Sequence, residues 1–232
     1  MNSRYWSGIV ANSERCLIIG MFAVCVFFAN AQPKTAHSLT TNDPEAEKYL
    51  KAVKIKLQNL KAFKLNFTTE ITDADQKKQT NKGTYLVSGE KFEMDMSDIK
   101  TINDGKTHWS IDKIEKEINI TKYTKPKLTK TENPIDIIKN YSSLFKFRVK
   151  EPIQNQRIVI ELVPLNKNNS FFKVDLVLDT KKNQLLGAKL YDKSGHRIQF
   201  SFTNMQELTI LPAGAFVLNK DAYKEYEILD MR

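Results

Sequence analysis

The stretch Phe63-Lys64-Leu65-Asn66-Phe67-Thr68-Thr69-Glu70-Ile71 is where the chain changes its period. Before it, apolar residues recur every three or four positions. From Phe63 onward they alternate with polar ones, so Leu65, Phe67, Thr69 and Ile71 share one face of an extended strand. The alternation resumes after a polar loop at 73–82: Tyr85 and Val87 lie between Thr84, Leu86 and Ser88, and Phe92, Met94 and Met96 alternate with Glu93, Asp95 and Ser97. Asn103-Asp104-Gly105-Lys106 reads as a hairpin turn, and Trp109, Ile111, Ile118 and Ile120 carry the pattern beyond it. Further strands are predicted at Arg157 to Val163, Phe171 to Asp179, Gln184 to Tyr191, Arg197 to Thr203 and Glu207 to Leu211, with Asp192-Lys193-Ser194-Gly195 as a turn and Phe216-Val217-Leu218 as a further edge.

On the other side of Phe63 the pattern is helical. Asp43 is the expected N-cap, Pro44 occupies the first helical position, and Glu45 and Glu47 complement the amino end. Ala46, Tyr49, Leu50, Val53, Leu57 and Leu60 then form one apolar stripe, with the helix ending near Ala62. A second helix is predicted over 134–147, capped by Asn133 and carrying Ile135, Ile137, Ile138, Tyr141, Leu144 and Phe145.

These elements give a mainly β (α+β) chain of about ten or eleven antiparallel strands with two helices. So many sequential strands call for closure into a barrel or a strongly curved sheet, because a flat open sheet exposes its edges. The helices must cover what the sheet leaves open. No internal repeat is visible, and residues 43–232 read as one domain.

The amino terminus is of a different kind. Arg4 and Arg15 precede an apolar run from Cys16 to Ala29, followed by Ala29-Asn30-Ala31. This is the pattern of a secretory signal peptide (1–31) cut after Ala31, and the run is short for a membrane span of about 20 residues. Residues 32–42 read as a flexible leader. Cleavage would remove both cysteines with Arg4, Glu14 and Arg15, lowering the net charge from +9 to +8 and leaving no thiol. The expected location is the periplasm of a Gram-negative bacterium. Hydrophobic residues at 41% and charged residues at 27%, with only 8 Gly and 7 Pro, exclude a disordered, collagen-like or disulfide-built chain. The positive balance suits an anionic membrane surface or an acidic protein, while export argues against nucleic acid.

Catalytic chemistry finds no support. His37, His108 and His196 have no carboxylate or thiol at metal-ligand spacing and read as surface residues, with His37 in the leader. There is no Gly-x-Ser-x-Gly elbow, and Gly105-Lys106-Thr107 fails as a phosphate loop because Lys100 stands where its first glycine belongs. Glu161, Asp175 and Asp179 alternate with apolar neighbours and are expected on a solvated face. No metal or cofactor is expected. What remains is a large apolar sheet face, which fits a filled core or a cavity; the adjacent Met94 and Met96 are of the adaptable kind that accepts variable apolar partners.

Three segments carry a resemblance: Lys61-Ala62-Phe63-Lys64-Leu65-Asn66-Phe67-Thr68; Asn103-Asp104-Gly105-Lys106-Thr107-His108-Trp109-Ser110-Ile111-Asp112; and Tyr223-Lys224-Glu225-Tyr226-Glu227-Ile228-Leu229-Asp230-Met231-Arg232. With the order of elements from about residue 43 to the end, they resemble the periplasmic outer-membrane lipoprotein carrier family (LolA-like). The resemblance implies an incomplete, strongly curved antiparallel barrel with a helical lid over a hydrophobic cavity. It implies a non-enzymatic, monomeric carrier that takes acylated lipoproteins from an inner-membrane exporter to an outer-membrane acceptor. The implied lipid-binding cavity is lined by Phe67, Tyr85, Phe92, Met94, Met96, Trp109, Ile111, Ile138, Leu144 and Phe172, roofed by the helices at 44–62 and 134–147. The family's basic-Pro pair after the strand at 83–87 is replaced by Ser88-Gly89-Glu90, so its arginine latch does not carry over. The alternative is a lipid- or lipoprotein-sensing module of the same fold that transports nothing and acts through a protein partner.

Overall fold

The computed structural model describes residues 41–124 and 133–232. The expected signal peptide, and all but the last two residues of the leader, lie outside the described residues. Helix α1 (Pro44–Asn59) starts as its sequence dictates: Asp43 is extended, and its carboxylate accepts from the Glu45 and Ala46 amides at 2.8 and 3.4 Å. The second Asp43 oxygen accepts from Val149 N–H at 3.0 Å, so the cap also fixes α1 to the sheet. The helix ends at Asn59 rather than near Ala62, because Phe63 and Leu65 are drawn into the sheet core and the Ala62 carbonyl accepts from Leu208 N–H.

The strands follow as β1 (Phe63–Thr72), β2 (Lys78–Ser88), β3 (Lys91–Met96), β4 (Ile99–Asn103), β5 (Thr107–Asp112) and β6 (Glu117–Lys122). After α2 (Pro134–Leu144) come β7 (Phe145–Gln154), β8 (Arg157–Pro164), β9 (Phe171–Asp179), β10 (Gln184–Asp192), β11 (Arg197–Glu207) and β12 (Glu227–Asp230). All twelve belong to one sheet in the order β12-β6-β5-β4-β3-β2-β1-β11-β10-β9-β8-β7. Each half is a meander. The β1–β11 pairing joins them, placing Phe67 between Gly83 on β2 and Phe202 on β11.

The sheet departs from the sequence expectation at several points: β2 already begins at Lys78, inside the expected polar loop at 73–82, and β7 is a strand not among those expected. Phe145 leaves the helix to begin β7, because Phe145 and Phe147 alternate into the core. β4 is an additional strand, filled out by Thr101, Ile102 and Asn103. β11 stops at Glu207, so 207–211 is no separate strand, and Phe216 adopts a φ of 63° that strands do not accommodate. The sheet ends instead on β12, which runs parallel to β6 and so breaks the all-antiparallel expectation. With β7 and β12 as its two edges, the sheet is open.

The main core lies where both helices meet β7 to β10. Leu50, Val53 and Leu57 of α1 and Ile137, Ile138 and Tyr141 of α2 pack with Phe147, Ile160, Leu162, Val174, Leu176 and Leu190. Each such side chain, removed from water, stabilises the fold by about 1.5–3 kcal/mol. A second core sits on the opposite face of β4 to β6, where Ile102, Ile111, Ile118 and Ile120 pack with Leu218 from the C-terminal segment. The apolar face therefore changes sides along the sheet. Across β1 to β3 it is the face that carries Phe67, Tyr85 and Met94; across β4 to β6 it is the reverse face, leaving Thr101 and His108 to continue the first.

Candidate functional site

The change of sides creates the site. On the β7 to β10 half, α1 and the body of α2 fill the inner face with side chains. Over β1 to β5 and β11, among the described residues, the first turn of α2 is the one helical segment in the lining, and a cavity of about 560 Å³ remains. That is within the roughly 300–1,000 Å³ typical of small-ligand sites. Its floor is Phe67, Ile198, Phe200 and Phe202; one wall is Tyr85, Phe92, Met94 and Met96; and the first turn of α2 contributes Asn133, Pro134, Ile135 and Asp136.

Local chemistry builds each wall. Gly83 faces the floor: a Cβ there would stand 2.7 Å from Phe67 Cζ and 2.5 Å from the Asp95 carbonyl oxygen, so only glycine lets the Phe67 ring lie across β2. Phe200 and Phe202 stack with centroids 6.1 Å apart, and Tyr85 and Phe92 lie tilted at 5.9 Å. The lining also holds the uncharged polar residues Thr69, Asn81, Thr101, His108 and Tyr123, of which Thr69 and Thr101 are buried. Burial holds the His108 imidazole below its usual range, which keeps it neutral at pH 7. Burial, reinforced by the Asp136 carboxylate, pushes the Tyr85 phenol far above its usual range. The Tyr85 hydroxyl accepts a hydrogen bond from Asn133 Nδ2 at 3.1 Å, while Asn133 Oδ1 caps α2 by accepting from Ile135 N–H at 2.9 Å. Among the described residues no group of carboxylates, histidines or cysteines could hold a metal ion.

Five of the ten residues named from sequence, Phe67, Tyr85, Phe92, Met94 and Met96, line this cavity. The structure places the others elsewhere. Trp109 and Ile111 point to the reverse face and join the second core, because their strand lies beyond the change of sides. Ile138 is fully buried in the main core and Leu144 packs against it, both past the turn of α2 that reaches the cavity. Phe172 is 49% exposed against Tyr191, while its neighbour Phe171 takes the buried place and stacks on Phe145. Of the two helices expected as roof, α2 contributes to the described lining, while α1 packs in the main core.

Several lining residues are not among those ten. Ile198, Phe200 and Phe202 alternate plainly, but their place opposite Ile71, Thr69 and Phe67 depends on a pairing between strands about 130 residues apart in sequence. His108 is half-buried in the lining rather than on the surface. Asp104-Gly105 is the hairpin turn expected, with Asp104 Oδ1 accepting from Lys106 and Thr107 N–H and Gly105 at a φ of 92°.

A second concavity of similar volume lies on the reverse face of β8 to β11. Its walls include Lys150, Arg157, Asp175 and Lys189, charges that hydrocarbon would strip of water at high cost. Here too an expectation fails, since Glu161 and Asp175 are buried, not solvated. They are paired across β8 and β9 and compensated by Arg148 at 2.7 Å from Glu161 and Lys150 at 2.7 Å from Asp175. Asp179 caps the β9–β10 turn by accepting from Lys181 and Lys182 N–H.

An open, largely antiparallel sheet with one apolar cavity under a helix start defines a mainly β protein of the lipoprotein-carrier fold class. The family model "Outer membrane lipoprotein carrier protein LolA" matches residues 58–219, and the chain belongs to that family. No curated protein matches the sequence. Among solved structures, it is similar to a LolA superfamily protein from Nitrosomonas europaea (15% identity, 75% of this chain and 98% of that one, TM-score 0.41). It is also similar to an uncharacterised conserved protein from Thermus thermophilus (10% identity, 80% and 99%, TM-score 0.48) and to the MucA/MucB complex structure of Pseudomonas aeruginosa (13% identity, 73% and 68%, TM-score 0.35). These are likenesses of fold; membership rests on the family model.

Proposed function

We propose that this chain is a periplasmic carrier that covers the acyl chains of lipoproteins in its apolar cavity and shuttles them from the inner to the outer membrane. The observation that supports this most is the cavity itself, walled by the rings of Phe67, Tyr85, Phe92, Phe200 and Phe202 with Met94 and Met96, in a chain of the LolA family. An acyl chain exposed to water costs about 0.8 kcal/mol per methylene, so a lipid anchor crosses an aqueous space only if something covers it. A carrier must also let go. The first turn of α2 is tied to the sheet at the cavity by the hydrogen bond from Asn133 to Tyr85, a contact weak enough for a donor or acceptor to displace.

In this reading the cargo is an acylated lipoprotein, the donor an inner-membrane exporter and the recipient an outer-membrane acceptor, with the carrier a monomer. No bond is made or broken. Incubation of the purified protein with spheroplasts holding a labelled outer-membrane lipoprotein should release that lipoprotein as a one-to-one complex. Release equal to that with buffer alone would refute transport.

A further inference from the structure

We propose that the reverse face of β7 to β11 docks the protein on a bilayer containing anionic phospholipid, with one headgroup phosphate seated in the cleft of that face. The site is separate from the apolar cavity and stands whether or not the carrier reading does.

Between residues 41 and 231 the chain has three arginines, Arg148, Arg157 and Arg197, against many lysines. The fold gathers all three on this face. Arg148 bonds Glu161, Arg157 lines the cleft, and Arg197 stands across the ladder from Tyr191, whose hydroxyl donates to Asp175 at 2.8 Å. Lys150 donates to the same Asp175 oxygen at 2.7 Å, while Lys173 and Lys189 lie 4.1 and 5.6 Å from the centre of the Tyr191 ring. Glu161, Asp175 and Lys189 are consecutive neighbours across β8, β9 and β10. Six cationic side chains therefore share a surface about 20 Å across, at five strands with ordinary spacing, with the carboxylates of Glu151, Glu161 and Asp175.

Glu161 and Asp175 are buried beneath these cations and hold them in place rather than cancel them. A guanidinium carries five N–H donors and an ammonium three, and the side chains of Arg148 and Lys150 remain 40% and 34% exposed above their carboxylates. Arg157, Lys189 and Arg197 have no carboxylate within ion-pair distance among the described residues. Gly187 stands between Val177 and Ser201 without a side chain, which hollows the face into a cleft of about 560 Å³ rimmed by Lys150, Arg157 and Lys189. That is room for one headgroup, and the arginine fork matches phosphate. Phe172, 49% exposed, leans on Tyr191 with ring centroids 6.2 Å apart, which places an aromatic ring beside the cations as surfaces at the headgroup level do. A stable protein interface has an apolar centre and a polar rim. Here the charge is central, which favours lipid over an acidic protein.

Co-sedimentation with vesicles of phosphatidylcholine, alone or mixed with phosphatidylglycerol, tests this. The exported protein should bind the mixed vesicles at about tenfold lower lipid concentration than the neutral ones, and the preference should fade in high salt. Arg157→Gln, Lys189→Gln and Arg197→Gln combined should remove most of that preference. Lys51→Gln, Lys61→Gln and Lys106→Gln combined lower the net charge equally at exposed positions on other parts of the fold, and should keep it. Circular dichroism should show both combined variants folded, since none of the six lysines and arginines is ion-paired. Equal binding to the two kinds of vesicle would overturn docking on lipid and leave the face to an acidic protein. A preference that survives the first combination, or falls equally in both, would overturn the assignment to this face. Each of these results leaves the carrier reading intact.

Discussion

Asn133 Nδ2 donates to Tyr85 Oη at 3.1 Å while Asn133 Oδ1 accepts from Ile135 N–H, so one side chain both starts α2 and fastens it to β2 at the cavity. Substitutions separate the two roles. Tyr85→Phe removes only the fastening and should cost about 0.5–1.5 kcal/mol, the net worth of one hydrogen bond. Asn133→Ala removes the cap as well and should cost more, by about 1 kcal/mol. Urea unfolding midpoints of the two variants check the order; equal losses would show that the cap and the tie are not distinct.

The change of sides between β3 and β4 predicts a double dissociation. Met94→Glu puts a carboxylate into the cavity wall, where it faces open space and not packed side chains. Binding of an apolar dye should fall by at least about tenfold while the protein stays folded, because the charge must give up water for the ligand to enter. Trp109→Ala, on the reverse face, should lower stability by ~1–3 kcal/mol and leave dye affinity unchanged. Fluorescence titration and denaturant unfolding on both variants read the two effects apart.

The packed half of the inner face should respond as a core. Leu50 and Ile160 are both fully buried against the helices or the sheet. Leu50→Ala should cost about 2–5 kcal/mol through lost burial and the cavity left behind. A loss below ~1 kcal/mol would mean that α1 is not fixed on β7 to β10 as described.

Acid should loosen the start of α1. Asp43 has its carboxyl held below the usual range, above all by the Val149 amide, with the Glu45 and Ala46 amides also contributing. A carboxylate lowered in the folded state stabilises the protein above its unfolded pKa, and this stability is lost as pH falls from about 4 through the folded value. Asp43→Asn should therefore be less stable than the unaltered protein at pH 7, with the difference shrinking below about pH 4. Urea midpoints between pH 7 and pH 3 measure it; a difference independent of pH would remove the Asp43 carboxylate from the account.

Local signals reached far into the fold. The Asp43-Pro44 and Asn133-Pro134 starts, the Asp104-Gly105 turn and the alternation through Phe67, Tyr85 and Met94 are each written within a few residues, and the structure follows them. What the pattern does not carry is non-local. Trp109 and Ile111 alternate as regularly as Met94 and Met96, yet which face of the sheet meets the helices and which meets the C-terminal segment depends on Leu218, Tyr223 and Tyr226, far along the chain. Phe145 continues the apolar spacing of α2 and is captured by β7 because Phe147 alternates with it and pairs against Leu162. The parallel β12 has no signal of its own, since its four residues are all exposed. Half of the candidate site is thus legible as an alternating face, and the rest requires knowing where the helices lie.

The central claim is that acyl chains lie between β1 to β3, β11 and the first turn of α2. Photo-crosslinking with a triacylated lipopeptide carrying a diazirine in one acyl chain, followed by peptide mass spectrometry, tests this most directly. Labels should fall on Met94, Met96, Ile135 and Phe200. Labels confined to the exposed apolar residues Ile210, Val217 and Ile228, or spread evenly over the chain, would contradict it.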